Sequence, residues 1–345
     1  MDVSPKENLP PPPGIINSIK AGFDLIATHI TAILMPLFVN LFLWLGPRLR
    51  MDTLFNSLKP NLVSFWRVLG IPAEEIQQMV RGYETNLPDF NLFSLVSTFP
   101  VGVQNLFYSR VLRLIFPRLS ETHFFHSTGQ TPFGNPLVLQ VDIWNFSSWV
   151  FWLILFGWIL GGLYFRNIAR LVVDSENDRP VRISQAILQT VLISIVWIIF
   201  SVMIGAPVLL VLGLMIQVNP MIALFVLVLL SFTSMWVILP LFFWPHGVFL
   251  KHQNAFTSIL SSLQMTRFTL PTSSLFVLTV FLLSLGLNFL WIIPPEDSWM
   301  TLIGIFGHSF VATALLASSF VYYRDINAWL QSAIEYMKLN QLKRV

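Results

Sequence analysis

An all-α, polytopic helical membrane protein is the fold class that this sequence predicts, and three observations carry the prediction. Residues 183–250, about 68 positions, contain no Lys, Arg, Asp or Glu. A bilayer core is crossed by about 20 apolar residues, so that run holds two spans and a turn. Across the whole chain 55% of residues are hydrophobic and 11% charged, with a mean hydropathy of +0.70. That is the composition of an integral membrane chain. Trp and Tyr also gather at the ends of the apolar runs, as in an interfacial aromatic belt. The layout they predict has about six transmembrane helices, interfacial amphipathic helices and one long exocytoplasmic helical loop.

Residues 1–13 form a Pro-rich tail ending in Pro10-Pro11-Pro12-Pro13, which joins no helix and is expected to be disordered. Its charged, Pro-containing start lacks the basic-then-apolar pattern of a cleavable signal, so the first span is expected to stay as an anchor. Residues 14–46 are an interfacial helix, with Ile15, Ile16, Ile19 and Phe23 on one face, followed by a span over Leu25–Gly46 that Pro36 should kink.

Residues 47–142 are the exocytoplasmic loop. Leu54, Phe55, Leu58, Leu62, Phe65, Trp66 and Leu69 trace one helix face, and a second helix starts at Pro72 with Glu74 and Glu75 in its first turn. Each face needs an apolar partner, either the other helix or lipid. Phe90–Ser109 is uncharged yet broken by Asn91, Pro100, Gly102, Gln104 and Asn105, which predicts a surface-lying or re-entrant element. Arg110, Arg113 and Arg118 follow on a basic amphipathic stretch, and Leu137–Val141 is expected to be extended.

Residues 143–326 supply five more spans, over Ile143–Phe165, Ser184–Ile216, Met221–Pro245, Ser273–Ile293 and Trp299–Tyr323. Gly157 and Gly161, four apart on the first of these, mark a close-packing face. The uncharged central pair reads as the hairpin that the other spans pack around, with Arg182 and Lys251 at its feet. Tyr322-Tyr323-Arg324-Asp325 reads as an interfacial aromatic pair with a snorkelling Arg. Residues 327–345 close the chain as a basic tail. The short loop holding Arg166, Arg170, Arg179 and Arg182 is the most basic in the chain, which places it and both termini in the cytoplasm of a bacterial plasma membrane. With Lys251 and Arg324, these arginines are the expected lipid-headgroup contacts.

A shift of 240 positions lays residues 16–46 over 256–286 without a gap, pairing Ser18 with Ser258 and Gly46 with Gly286. Each copy has a short amphipathic helix, a bend and then a span, and residues 182–213 follow the plan less closely, opening at Ser184. These units and the closing Tyr322-Tyr323-Arg324-Asp325 resemble a group of uncharacterised bacterial multi-pass proteins that includes the membrane domain found with some glycerophosphoryl diester phosphodiesterases. The resemblance implies a helical membrane module with little chemistry, since the catalytic domain of those enzymes has no counterpart here. The loop 47–142 departs from their pattern.

The charge pattern holds no basic patch for nucleic acid: the net +3 is spread over short segments. Absence of Cys excludes disulfides, thiolate metal sites and Cys nucleophiles. There is no phosphate-binding Gly-Lys loop, His-Glu-x-x-His or Gly-x-Ser-x-Gly, so no cofactor and no enzymatic activity are expected. His308 is the ionisable group expected near the middle of a span, on a face with Gly304, Ser309, Ala312 and Thr313. With Asn40 and Asn288 at similar depth it is a candidate for binding a polar ligand or passing a proton, or else for hydrogen bonds that hold helices together. Glu121, His123 and His126 are a weak metal candidate, and Asp174, Glu176 and Asp178 fit a solvated turn better than a calcium loop. The expectation is a non-catalytic scaffold or accessory subunit, with membrane lipids and other membrane subunits as partners. The alternative is a transporter or channel-like carrier of a lipid or small hydrophobic solute, suggested by Pro36, Pro207 and Pro240 within spans and by the repeat.

Overall fold

A computed structural model of the chain describes residues 11–107, 129–173 and 181–342. In chain order these form α1 (Ile15–Thr28), a 3-10 turn (Ile30–Ile33), α2 (Leu34–Leu45), β1 (Arg48–Arg50), α3 (Asp52–Val68), α4 (Ala73–Asn86), β2 (Val138–Gln140) and α5 (Phe146–Val172). After these come α6 (Ile183–Phe200), a π-turn (Ser201–Gly205), α7 (Ala206–Val218), α8 (Pro220–Lys251), α9 (Ala255–Trp291) and α10 (Met300–Leu342). Among the described residues four helices are long and apolar enough to cross a membrane, or up to six if each of two bent pairs is one span. The chain is thus an all-α, polytopic membrane protein. Its strands are one short parallel ribbon, with Arg48 opposite Val138 and Arg50 opposite Gln140.

The first bent pair is α1 with the stretch 30–45. His29 makes the bend, with φ −121° and ψ 55°, and the expected kink at Pro36 is absent. Pro36 falls in the first turn of α2, where a helix has no acceptor for its N–H and the ring costs nothing. The repeat partner of His29 is Thr269, which has φ −119° and ψ 18° and is the non-helical residue inside α9. Pro271 sits two residues on and lacks the N–H that would bond the Arg267 carbonyl, and the Thr269 hydroxyl donates to the Met265 carbonyl at 2.8 Å. Ser18 and Ser258 are both buried at their equivalent places, whereas Ser184 is exposed and α6 runs on without a bend. The local geometry therefore matches for the two copies 240 apart and fails for the third.

Two compact units divide the chain. The first comprises Met1–His29, Phe165–Leu282 and Ala314–Val345. Its core is Leu239 and Phe243 of α8, Met265 and Phe276 of α9, and Tyr322, Tyr323 and Ile326 of α10. Tyr322 stacks on Phe276 with ring centroids 4.1 Å apart. The tyrosine pair is fully buried, not interfacial, and α10 continues unbroken to Leu342 where a separate tail was expected. Small residues let helices approach here: a Cβ on Gly22 of α1 would fall on the backbone of Ser318.

The expected central hairpin forms, with the Asn219 side chain capping α8 by accepting from the Met221 and Ile222 N–H groups. The rest of the unit does not pack around it. Its base is enclosed, at Ala186, Ile193, Leu239 and Phe243, and Ala223 is buried near the turn, while Met203, Leu209 and Phe225 are 71%, 70% and 63% exposed. A run without charges is apolar enough to sit in lipid on all sides, so periodicity could not tell a lipid-facing hairpin from a central one.

The second unit comprises Ile30–Tyr164 and Leu283–Thr313. Here α3 and α4 cover each other's apolar faces through Phe55, Trp66 and Tyr83, tied by Lys59 and Glu84. Tyr164 does not sit at an interface; it is buried and bonds Thr313 Oγ1 at 2.9 Å. Beyond α2, Arg48 meets Glu296 at 3.4 Å with both side chains buried, and Trp44 Nε1 donates to the Glu296 carbonyl at 2.7 Å. The turn 294–297 is thereby locked to β1. Breaking a buried pair by removing one member costs about 3–5 kcal/mol, whereas replacing both with apolar residues of similar volume is far milder. Thermal unfolding of the detergent-solubilised protein should therefore show a large loss for E296A and a clearly smaller one for the R48M/E296L double variant.

Candidate functional site

Residues 90–107 are a long stretch among the described residues of the second unit with neither helix nor strand beyond a 3-10 turn at Leu92–Val96. This strap is buried through Leu92, Val96, Val101, Val103 and Leu106, and it includes a cis peptide at Phe99-Pro100. It rests on α5, where a Cβ on Gly157 would strike the Val96 carbonyl and one on Gly161 the Val101 carbonyl. The Gly157/Gly161 face is thus an intramolecular packing site, with an irregular segment in place of a second helix. Counted from the start of α5, these contacts lie about 16 and 22 Å along the helix, which is mid-bilayer depth for a span. Phe90–Ser109 does not lie on the surface over its described part.

Backbone polar groups at that depth must be satisfied by protein or by enclosed water. Asn40, fully buried on α2, does much of this: its Oδ1 accepts from the Leu106 N–H at 2.8 Å, and its Nδ2 donates to the Gln104 carbonyl at 3.2 Å and the Pro36 carbonyl at 2.8 Å. The side-chain amide thereby pairs with the strap as a neighbouring strand would. At the strap's start, Asn91 Oδ1 accepts from the Leu49 and Phe93 N–H groups, and Asn105 Oδ1 accepts from that of Phe107.

His308, on α10, sets its ring beside the same Gln104 backbone oxygen that Asn40 holds. Nε2 is buried and has no partner among the described residues, and its role as donor or acceptor follows the tautomer. Two of the three candidates are therefore joined through Gln104. Asn288, on α9, is not bonded to either; its Oδ1 is buried and without a partner. Ser94 Oγ, Ser97 Oγ, Asn91 Nδ2, Asn105 Nδ2 and Ser309 Oγ are in the same condition.

Glu121, His123 and His126 lie outside the described residues, as do Arg110, Arg113, Arg118, Arg179 and the turn of Asp174, Glu176 and Asp178. Among the described residues no group of three or more His, Asp or Glu is placed to hold a metal ion. Of the expected headgroup contacts, Arg170 and Arg182 are exposed. Arg166 donates to the Val181 carbonyl at 2.6 Å, Arg324 to that of Val172 at 2.8 Å, and Lys251 to Asn327 Oδ1 at 2.7 Å. These three already serve the protein's own helix ends.

One ionisable residue escaped the sequence reading. His246, in the first unit, is buried against Phe243, Phe320 and Tyr323, with Nε2 2.7 Å from Ser319 Oγ. Pro245 suggested the end of a span there, but α8 continues past it to Lys251. Only the spacing of His246 after Phe242 and Phe243 hinted at an inward face. Ser319 Oγ also donates to the Leu316 carbonyl at 2.7 Å. Enclosed on every side by aromatic rings, the pair acts as a polar tie between α8 and α10.

Asn40 is the residue whose loss tests the strap most directly. N40L leaves the Leu106 N–H without its acceptor, and each buried group so stranded costs about 1–3 kcal/mol. Hydrogen–deuterium exchange should show residues 103–107 losing protection in N40L, with α3 and α4 unchanged.

No protein-family model, curated protein or solved structure matches this chain.

Proposed function

We propose that the protein is a non-catalytic scaffold or accessory subunit of a bacterial plasma membrane, and that the hairpin of α6, α7 and α8 is the element it offers to other membrane subunits. The observation that carries this reading is the bareness of that hairpin: the most apolar part of Ile183–Met215 contains no buried residue. Gly205 and Gly213 face open space, leaving room for another helix to approach closely. The fate of the ionisable residues supports the same reading. His308 sits at a backbone carbonyl and His246 pairs with a serine, and among the described residues neither is hydrogen-bonded to a titratable side chain of the kind acid–base catalysis needs.

A carrier of a small solute is the second reading, favoured by one feature: an irregular backbone at span depth is tolerated where it is enclosed in protein or lines a watery cavity, and transporters place their sites on such segments. In either case both termini and the Arg166–Arg182 loop lie in the cytoplasm by the positive-inside rule, and residues 47–142 lie outside. The layout shared with the membrane domain of glycerophosphoryl diester phosphodiesterases agrees with a module that does no chemistry.

In native membranes the chain should migrate with at least one other subunit on native electrophoresis, and L209A/F225A should release it while leaving thermal unfolding nearly unchanged, as for other exposed sites. A parent chain that runs as a monomer in those membranes counts against the scaffold reading. Orientation is tested separately, since the chain has no Cys: N219C should react with an impermeant maleimide on intact cells and R182C only after permeabilisation. Labelling of both from one side refutes the topology.

A further inference from the structure

The Gln104 side chain is exposed, although its own carbonyl is held by Asn40 and the His308 ring, and the flanking Val103 and Asn105 are buried. His308 is the ninth residue of α10, about 12 Å along the helix from its start. An uncharged but strongly polar amide exposed at that depth is costly against hydrocarbon; polar groups within spans face a watery cavity or a partner. Buried atoms on the next residue and at its carbonyl point to which. Asn105 Nδ2 is a donor, His308 Nε2 donates or accepts with the tautomer, and the Oγ of Ser309, the residue after His308, does both, each without a partner among the described residues. A mixed set of spare donors and acceptors matches water or a small uncharged solute with water's hydrogen-bonding, and matches neither an ion nor an apolar chain.

We propose that Gln104 lines a water-filled recess in the second unit that ends at His308 Nε2, a site for water or a small, uncharged, hydrogen-bonding solute. The inference holds under the scaffold and the carrier readings alike, because it concerns only the hydration of the strap. It differs from the expected carriage of a lipid or hydrophobic solute: the recess is polar, and Asn40 on α2 already spends both amide protons on the Pro36 and Gln104 carbonyls while accepting from the Leu106 N–H.

The natural absence of Cys makes the test direct. In the full chain reconstituted in lipid, Q104C should react with a permanently charged methanethiosulfonate at a rate within about tenfold of N61C, an exposed position on α3, and far above S318C, which is fully buried. A Q104C rate no higher than that of S318C overturns the proposal; reaction then with a lipid-soluble maleimide alone assigns the face to lipid, and with neither reagent to a protein partner. The unmodified chain gives an independent check through deuterium exchange at the histidine C2 position. His308 should exchange measurably faster than His246, which the aromatic rings enclose, and equal or slower exchange at His308 overturns its placement at the end of the recess.

Discussion

Backbone amides within a bilayer must find partners inside the protein, and in this chain that constraint bears hardest on residues 90–107. Helices satisfy it by their own geometry, but the strap has no such ladder. Three asparagines take over the role: Asn91 and Asn105 accept from nearby N–H groups, and Asn40 holds one carbonyl and one N–H from across the unit. Glycines on α5 supply the other half, since backbone carbonyls of the strap occupy the space side chains would fill at Gly157 and Gly161. Placement of His308 follows, because its ring is oriented by the carbonyl that Asn40 already holds.

The first unit solves a different problem. Lipid tails are as apolar as the helices, so burial alone gives spans little reason to associate, and packing and polar ties must do it. Close ring packing among Phe243, Phe276, Tyr322 and Tyr323 provides dispersion contact over a large area. Hydroxyls then link the elements: Ser273 lies 3.2 Å from Tyr322, Ser258 donates to the Trp244 carbonyl and Ser318 to that of Ile19. Such bonds contribute about 0.6 kcal/mol each, so the unit depends on their number and on the rings together.

The two bent helices show how one local plan is reached by different chemistry. At His29 the helix ends and a 3-10 turn begins; at Thr269 the helix is continuous but kinked, with Pro271 two residues on and the Thr269 hydroxyl bonded to the Met265 carbonyl. Equal spacing and similar backbone angles at both places favour duplication over chance resemblance between amphipathic units. The hairpin of α6 to α8 lacks the bend and keeps Ser184 exposed, which separates it from that plan.

Composition and period alone determined that this is a helical membrane protein, where most helices begin, that α3 and α4 form an apolar-faced pair, and that residues 90–109 are unsuited to a regular span. These are properties of short windows: apolar length, helical spacing, and the Gly, Pro and Asn residues that break it. His308 and Asn40 were legible as polar residues in apolar surroundings, but their meeting at Gln104 was not, because it joins positions 64 and 204 residues apart through a main-chain oxygen that carries no side-chain signature. Tertiary structure also decided which of several equally apolar surfaces are enclosed. Tyr322 and Tyr323 resemble a belt and form a core, whereas the uncharged hairpin resembles a core and stays bare, since an apolar side chain is equally at home against lipid or protein and only contact geometry separates the two.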